Sequence, residues 1–217
     1  MIDHAALAPA LSEEQVSQAC ETAKRYQVGR FTVRPSDVDA VAGWMRGSNT
    51  VVGTVVGYPT GFETTAVKLY AVRDALQRGA KAIETVLNHG KLASRQFRFL
   101  ESELIQMAQE CRRANAELIV GLQPGLPEDL RVIACKIARR ADVHWVRAAS
   151  LDDVAFLTQR LGDNVQLDAG VSVGTLDEAL RVHEMGCSGF QTGDPAPILE
   201  AWTAELKSRA EAAKPTT

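Results

Sequence analysis

The amino-acid sequence predicts a single α/β domain over residues 1–217, a (β/α)8 barrel. Short β-branched runs bounded by Gly or Pro alternate with helical patterns of roughly 10–15 residues, which is typical of parallel βαβ units. About eight such repeats can be counted, the number that closes a barrel. The chain is also long enough to bury one substantial core. On the count alone, an open doubly wound sheet remains an alternative.

The predicted elements follow one another as strand and helix along the whole chain. The strands run from Ile2 to Leu7, Arg30 to Arg34, Thr50 to Gly57, Ala82 to Asn88, Leu118 to Leu122, Val143 to Ala148, Val165 to Ala169 and Gly189 to Thr192. The first predicted helix begins at a capping box, Ser12 to Gln15, and runs towards Tyr26, and a short second helix ends at Met45. The others extend from about Thr64 to Arg78 and around Phe97 to Ala114, begin at Leu151 and at Thr175, and form a C-terminal tail at about 196–217.

Composition and charge exclude several classes of partner. The chain has 24 Lys and Arg against 27 Asp and Glu, a net charge of −3, and it lacks the basic, aromatic-rich run that tracks a phosphate backbone. No apolar run approaches the roughly 20 residues that span a bilayer, and no signal peptide precedes the first strand. We therefore expect a soluble, cytoplasmic protein with a small-molecule substrate and with neither nucleic acid nor membrane as a partner.

Cysteine and glycine patterns give no support for a metal or nucleotide site. The four cysteines are dispersed and form no C-x-x-C pair, which favours small buried residues in a reducing compartment. Gly53, Gly57 and Gly61 fit neither the dinucleotide-binding nor the P-loop spacing. We expect no cofactor.

Ionisable residues occur at or near the carboxyl ends of predicted strands, where α/β barrels build their active sites. These residues are Arg34, Glu84, Arg147, Asp168 and Asp194. An uncompensated buried charge is costly, so each should pair with an opposite charge or face a polar cavity. Their convergence on one end of the barrel predicts a functional site, although a purely structural network of ion pairs is the alternative.

Four segments resemble motifs of the deoxyribose-phosphate aldolase family, and together they extend over nearly the whole chain. The segments are I-D-H-A-A-L-A-P (family I-D-H-T-x-L-x-P), G-Y-P-T-G-F-E-T-T-A-V-K (G-F-P-x-G-x-x-T-T-x-V-K), A-I-E-T-V-L-N-H-G (E-I-D-M-V-I-N-x-G) and G-F-Q-T-G-D-P-A-P-I-L-E (I-G-T-S-S-G-x-x-I-L-E). The resemblance implies the class I aldolase-like (β/α)8 barrel of that family.

The same resemblance implies that the two lysines of the family's active site are absent. Family members cleave an aldol through a Schiff base on a strand lysine, with a second lysine that lowers its pKa and an aspartate that relays protons. Arg147 stands at the first lysine's position, Asp168 at the second and Glu84 at the aspartate's. A guanidinium stays protonated and does not add to a carbonyl as an amine does. The resemblance therefore implies a divergent member without Schiff-base chemistry.

The phosphate-binding end of the family's site also differs. Its A-S-G-G and G-T-S-S segments correspond to A-G-V-S-V and Q-T-G-D-P, in which Asp194 would repel a phosphate group at short range. Gly170 and Ser172 keep some of the small, donor-rich character of an anion site. We expect the substrate-binding residues to be Asp3, Arg34, Lys68, Asn88, Gly170, Ser172, Thr192 and Asp194.

These residues predict an enzyme in which Glu84 and Asp168 act as general acid and base while Arg147 binds a carboxylate or stabilises an enolate. The reaction would be a lyase, isomerase, cyclisation or condensation type on a small carbonyl compound. In a variant of this hypothesis, Glu84, Asp168 and Asp194 hold a divalent metal. The alternative is a non-catalytic barrel in which Arg147 and Asp168 neutralise each other and the protein binds a ligand or a partner. A homodimer is possible.

Overall fold

The computed structural model describes residues 1–162, 164–170 and 172–212, and these form a closed barrel of parallel strands. The strands are β1 (Ile2–Ala6), β2 (Arg30–Val33), β3 (Val51–Val56), β4 (Ala82–Val86), β5 (Glu117–Gly121), β6 (Trp145–Ala148), β7 (Gln166–Ala169) and β8 (Gly189–Thr192). Each strand pairs with its neighbour in the chain and β1 pairs with β8. The predicted (β/α)8 barrel is confirmed, and the doubly wound alternative is wrong.

Helices surround the barrel and connect its strands. They are α1 (Glu13–Arg25), α2 (Val38–Trp44), α3 (Thr65–Gln77), α4 (His89–Ala93), α5 (Phe97–Arg113), α6 (Glu128–Ala141), α7 (Leu151–Thr158), α8 (Leu176–Glu184) and α9 (Ala196–Ala212). The capping box predicted at Ser12 and Gln15 is present. Within the described residues, no helix is long and apolar enough to cross a membrane.

Two helices are absent from the prediction, and both have a local physical cause. In α6, Pro127 precedes the helix, Glu128 and Asp129 lie in its first turn, and buried positions recur along one face. In α4, Asn88 caps the first turn by accepting from the backbone N–H of Lys91, so β4 ends before the predicted strand does. Of the predicted C-terminal tail, residues 213–217 lie outside the described residues.

The core has two parts of different character. The larger part lies between the strands and the surrounding helices. Inside the barrel, the apolar cluster of the described residues consists of Ala82, Ile119 and Trp145, with Val51 packed against it. Alternate residues of a strand point to opposite faces, and many inward positions above this cluster carry charged side chains. The barrel interior is therefore a polar site supported on a small apolar floor.

All four cysteines are buried and free. Burial raises the pKa of Cys111 to about 12 and the pKa values of Cys135 and Cys187 to about 11, and the thiolate is the reactive form. In the folded protein at pH 8 we therefore expect no rapid reaction with a thiol-specific disulfide reagent, and four thiols to react in denaturant. One thiol that reacts within seconds in the folded protein would contradict this packing.

Candidate active site

Arg147 lies at the centre of a buried cluster inside the barrel. Its Nη1 donates to Glu84 Oε2 at 2.7 Å, and its Nη2 donates to Asp168 Oδ2 at 3.0 Å and to Asp3 Oδ2. The β6–β7 register places Arg147 beside Asp168, and Glu84 reaches across from β4. The three residues that the sequence predicts to be catalytic thus meet, and Asp3 joins them.

Arg30 is a second buried cation below this cluster, and the sequence-based reasoning did not select it. Its Nη1 lies 3.5 Å from Asp3 Oδ2 and 3.5 Å from Asp168 Oδ2, and its Nη2 donates to Glu117 Oε2 at 2.7 Å. Its guanidinium lies over the ring of Trp145, 5.2 Å from the ring centroid. Arg30 is fully buried, so it connects the carboxylates to the apolar floor.

The charges of the buried cluster do not cancel if every group is ionised. Among the buried groups, three carboxylates, on Asp3, Glu84 and Asp168, face two guanidinium groups, on Arg30 and Arg147, which leaves a net charge of −1; the partly exposed Glu117 adds a further negative charge beside Arg30. Burial raises the pKa of Glu84 and the pKa of Asp168, and the attraction of Arg147 opposes this shift without cancelling it. The cluster therefore favours the uptake of one proton.

Arg147 keeps its charge despite its burial. Burial alone would lower its pKa, but the carboxylates of Glu84, Asp168 and Asp3 outweigh that effect and raise it well above the ordinary value. A guanidinium held in this way is a permanent donor of hydrogen bonds and is not a nucleophile.

A cavity of about 220 Å³ opens above the cluster at the carboxyl ends of the strands. Its lining residues are Tyr58, Pro59, Glu84, Val86, Gly121, Leu122, Gln123, Pro124, Arg147, Ala148, Ala149, Gly170 and Gln191. Glu84 and Arg147 line it, whereas Asp168 is fully buried beneath Arg147 and does not. Larger clefts of about 570 Å³ lie elsewhere, and neither contains the buried cluster.

Two polar atoms of the cavity walls lack hydrogen-bond partners among the described residues. One is Nε of Arg147 and the other is Nε2 of Gln191. The free carboxylate oxygen of Glu84, Oε1, makes no hydrogen bond there either, and it lies 3.3 Å from the position that a Cβ would take at Gly121. The cavity thus offers Glu84 Oε1 as an acceptor, whereas the two unpartnered nitrogen atoms are buried in its wall. Gln191 gave no signal in the sequence beyond its place in a strand.

Glycine at position 170 makes the close packing around Arg147 possible. A Cβ at Gly170 would lie 2.6 Å from Cγ of Arg147 and 2.7 Å from the carbonyl oxygen of Ala148, closer than real contacts allow. The predicted substrate-binding residue Gly170 therefore lies in the cavity wall and leaves room for the arginine side chain.

Lys68 lies at the edge of the site and is paired. Its Nζ donates to Glu103 Oε1 at 2.8 Å and to the carbonyl oxygen of Val86 at 3.5 Å, and the side chain is 1% exposed. Thr65 donates to the other oxygen of Glu103. A lysine near the start of a helix is usually solvated, but Lys68 is buried because α3 packs this face against α5, and its pairing with Glu103 leaves it outside the cavity lining. Lys68 holds α3 against α5 and β4.

Arg34 does not join the central cluster, contrary to the expected convergence. Its Nε donates to Asp37 Oδ2 at 2.6 Å, and its Nη1 donates to the carbonyl oxygen of Pro9 at 3.1 Å. Arg34 follows the last residue of β2, so its side chain lies over the rim. Asn88 is likewise occupied as the cap of α4.

Asp194 does not join the cluster either. It is exposed, and its Oδ1 accepts from the backbone N–H of Ala196 at the start of α9, at 3.0 Å. The hydroxyl of Thr192 donates to the carbonyl oxygen of Asp194. Ser172 is exposed and lines a separate cavity of about 210 Å³ beside α7 and α8. These residues surround the site and do not contact its charged centre.

The arrangement also bears on the metal-binding variant. Glu84 and Asp168 turn one carboxylate oxygen each to Arg147, and Asp194 caps α9. In the described part of the chain, no group of three or more His, Cys, Asp or Glu side chains is placed to hold a metal ion. The donor set proposed for a metal therefore does not assemble.

Comparison with known proteins places the chain in a family. No family profile matches it. A deoxyribose-phosphate aldolase of Bacteroides thetaiotaomicron is 30% identical over 216 residues, 95% of this chain and 90% of that protein. The chain belongs to the deoxyribose-phosphate aldolase family. It is therefore related to aldolase-type lyases, as the sequence motifs predict.

Two further relatives of the deoxyribose-phosphate aldolase family agree in sequence and fold. A deoxyribose-phosphate aldolase of Staphylococcus epidermidis is 29% identical over 92% of this chain and 94% of its own length. The solved structure of a tetrameric deoxyribose-phosphate aldolase from Aeropyrum pernix aligns with a TM-score of 0.85 at 19% identity, over 94% of this chain and 90% of that one. The barrel is thus the fold of this family.

Proposed function

We propose that the chain is an aldolase-family enzyme that acts on a small carbonyl compound by carboxylate acid–base catalysis, without a Schiff base. The observation that carries the proposal is the identity of the charged groups lining the cavity. They are Glu84 and Arg147, and among the described residues no lysine lines it. Lys68 donates to the carbonyl oxygen of Val86, a residue that lines the cavity, and its ammonium group pairs with Glu103.

Glu84 is the proposed general base and acid. Its Oε1 is free of protein partners in the described structure, and its raised pKa places proton uptake closer to neutral pH than for an ordinary glutamate. Removal of a proton next to the substrate carbonyl would leave the electron pair as an enolate. In aldol cleavage Glu84 would instead take the proton of the β-hydroxyl; the Cα–Cβ bond would then break, its electron pair would form the enolate, and the former hydroxyl oxygen would become the carbonyl of the released aldehyde. Lyase, isomerase, cyclisation and condensation reactions all share this intermediate.

Arg147 is the proposed stabiliser of the enolate oxygen. Three carboxylates fix its guanidinium before any substrate enters, so little reorganisation is needed when charge develops. Asp168 was predicted from the sequence to share the acid–base work. Since it lies beneath Arg147 and outside the cavity wall, we propose instead that it positions the arginine.

One observation favours the non-catalytic alternative, namely that Arg147 is already bound to three protein carboxylates. Two others favour catalysis. Asp168 does not form a closed bidentate pair with Arg147, because a single bond joins them, and a cavity is present beside Glu84. A cofactor-independent cytoplasmic enzyme remains our prediction, with a homodimer as its candidate assembly.

The absence of an imine is tested by borohydride trapping with an aldehyde, followed by intact mass measurement and peptide mapping. A lysine-dependent aldolase treated in parallel serves as the positive control. For this chain we expect no reduced adduct above the level seen with unfolded protein. A stoichiometric adduct at any single lysine, Lys68 included, would overturn the proposal.

A further inference from the structure

Gln191 is the polar side chain that β8 places in the cavity wall. Residues two apart in a strand share a face. A Cβ at Gly189 would lie 3.4 Å from Cζ3 of Trp145 in the apolar floor, so this face of β8 points into the barrel. The register sets Gln191 beside Asp3 of the buried cluster. The side chain of Gln191 therefore lies above the floor, on the side of the cavity.

The two polar atoms of the Gln191 carboxamide differ in their surroundings. Nε2 is buried in the wall and lacks a hydrogen-bond partner among the described residues. Oε1 makes no hydrogen bond to a described residue either, but it is not one of the buried atoms, so it keeps access to the cavity. A carboxamide oxygen accepts hydrogen bonds and does not donate them. Gln191 thus presents a neutral acceptor that the described protein groups do not use.

Gln123 provides a contrast within the same cavity wall, because its carboxamide is bound by the protein. Its Nε2 donates to the carbonyl oxygen of Pro59 at 3.0 Å, and its Oε1 pairs with Nδ1 of His89. Both atoms connect the loops around the cavity. Gln191 is held differently, since its backbone oxygen accepts from the N–H of Val173 at 3.4 Å and its side chain is not needed for that contact.

We propose that Gln191 determines substrate specificity by accepting a hydrogen bond from a hydroxyl group that does not itself react. The substrate class is therefore a small carbonyl compound with a further hydroxyl group. This inference rests on the proposed function, which places the reacting group at Glu84. The family segment G-T-S-S has glycine where Q-T-G-D-P of this chain has Gln191, so the acceptor is not part of the family resemblance.

The test compares ligands in which a methyl group replaces a hydroxyl group of similar size. Hydroxyacetone is paired with butanone, and 4-hydroxy-2-butanone with 2-pentanone, and each ketone is titrated into the wild type by saturation-transfer NMR. In at least one pair we expect the hydroxy ketone to bind about tenfold more tightly, because a methyl group leaves the acceptor unpaired. Equal binding within both pairs, or no binding by any of these ketones, would overturn the inference.

Gln191→Met removes the carboxamide and nearly keeps the length of the side chain. We expect this variant to lose the preference for the hydroxy ketone and to unfold at a temperature no lower than the wild type, because a buried donor without a protein partner is removed. Gln123→Met is the matched control. It should keep the preference and unfold at a lower temperature, since its carboxamide is bound within the protein.

Two results with these variants would refute the assignment. One is a preference for the hydroxy ketone that survives in Gln191→Met, and the other is a fall in unfolding temperature as large as that of Gln123→Met. Glu84→Gln separates this inference from the proposed chemistry, because it should keep the preference even if proton transfer by Glu84 is disproved. A preference lost in Glu84→Gln and kept in Gln191→Met would assign the hydroxyl group to Glu84 and overturn the inference.

Discussion

Replacing Arg147 by methionine should lower the free energy of unfolding by about 3–5 kcal/mol, because it leaves buried carboxylates without their main cation. Asp3, Glu84 and Asp168 would keep only Arg30, whose Nη1 lies 3.5 Å from two of them. The net charge of the cluster would change from −1 to −2. Urea unfolding at pH 7 measures the loss.

The same variant should recover part of its stability as the pH falls. Its carboxyl groups would have pKa values above those in the unfolded chain, so the folded state takes up protons first and gains stability towards acid pH. Arg34→Met is the matched control, since that arginine pairs with Asp37 at the rim, and should cost about 1 kcal/mol or less. A loss at Arg147 no larger than at Arg34 would contradict the buried network.

Replacing Glu84 by glutamine should reduce turnover by about 10²- to 10⁴-fold, the usual contribution of a general acid or base. The amide oxygen can still accept from Arg147 Nη1, and the remaining charges, on Asp3, Asp168, Arg30 and Arg147, balance. We therefore expect the thermal stability of the variant to equal or exceed that of the wild type at pH 7. If Glu84 served only to stabilise the fold through its ion pair with Arg147, the variant would instead be less stable than the wild type.

The pH dependence of stability sharpens this comparison. Because the pKa of folded Glu84 is raised, its contribution is fully present below the unfolded pKa and is lost as the pH rises through the folded pKa. Glutamine does not titrate, so the unfolding temperature of the variant relative to wild type should increase from about pH 4 to pH 8. A difference in unfolding temperature between variant and wild type that stays constant across that range would contradict a raised pKa for Glu84 in the folded protein.

The sequence predicted the barrel well because its signals are local and repeated. The strand β3 is a β-branched run that glycines punctuate, and α1 carries its capping box in four consecutive residues. Glu84, Arg147 and Asp168 were also predictable, because a charge within a buried strand is unusual and inward positions of neighbouring strands meet. The α6 helix was missed because no side-chain cap marks its start, where Pro127 precedes it, although its buried positions recur along one face.

The rest of the site depends on partners distant in sequence. Arg30 looks like an ordinary strand-terminal arginine until the barrel closes and brings Glu117 and Trp145 to it. Lys68 looks solvated until α5 supplies Glu103. The sequence predicted Asp194 in the charged centre. A carboxylate two residues before the start of a helix can instead accept a hydrogen bond from the backbone of that helix, and Asp194 does so at α9.

The most direct test of imine-free acid–base catalysis is exchange of the hydrogen next to a carbonyl with solvent deuterium. Three- and four-carbon hydroxy aldehydes are incubated with the wild type in deuterium oxide and followed by proton NMR, before and after treatment of the protein with aldehyde and borohydride. The account predicts exchange that survives the treatment and is lost in Glu84→Gln. Exchange abolished by borohydride with a lysine adduct, or equal exchange in Glu84→Gln, would contradict it.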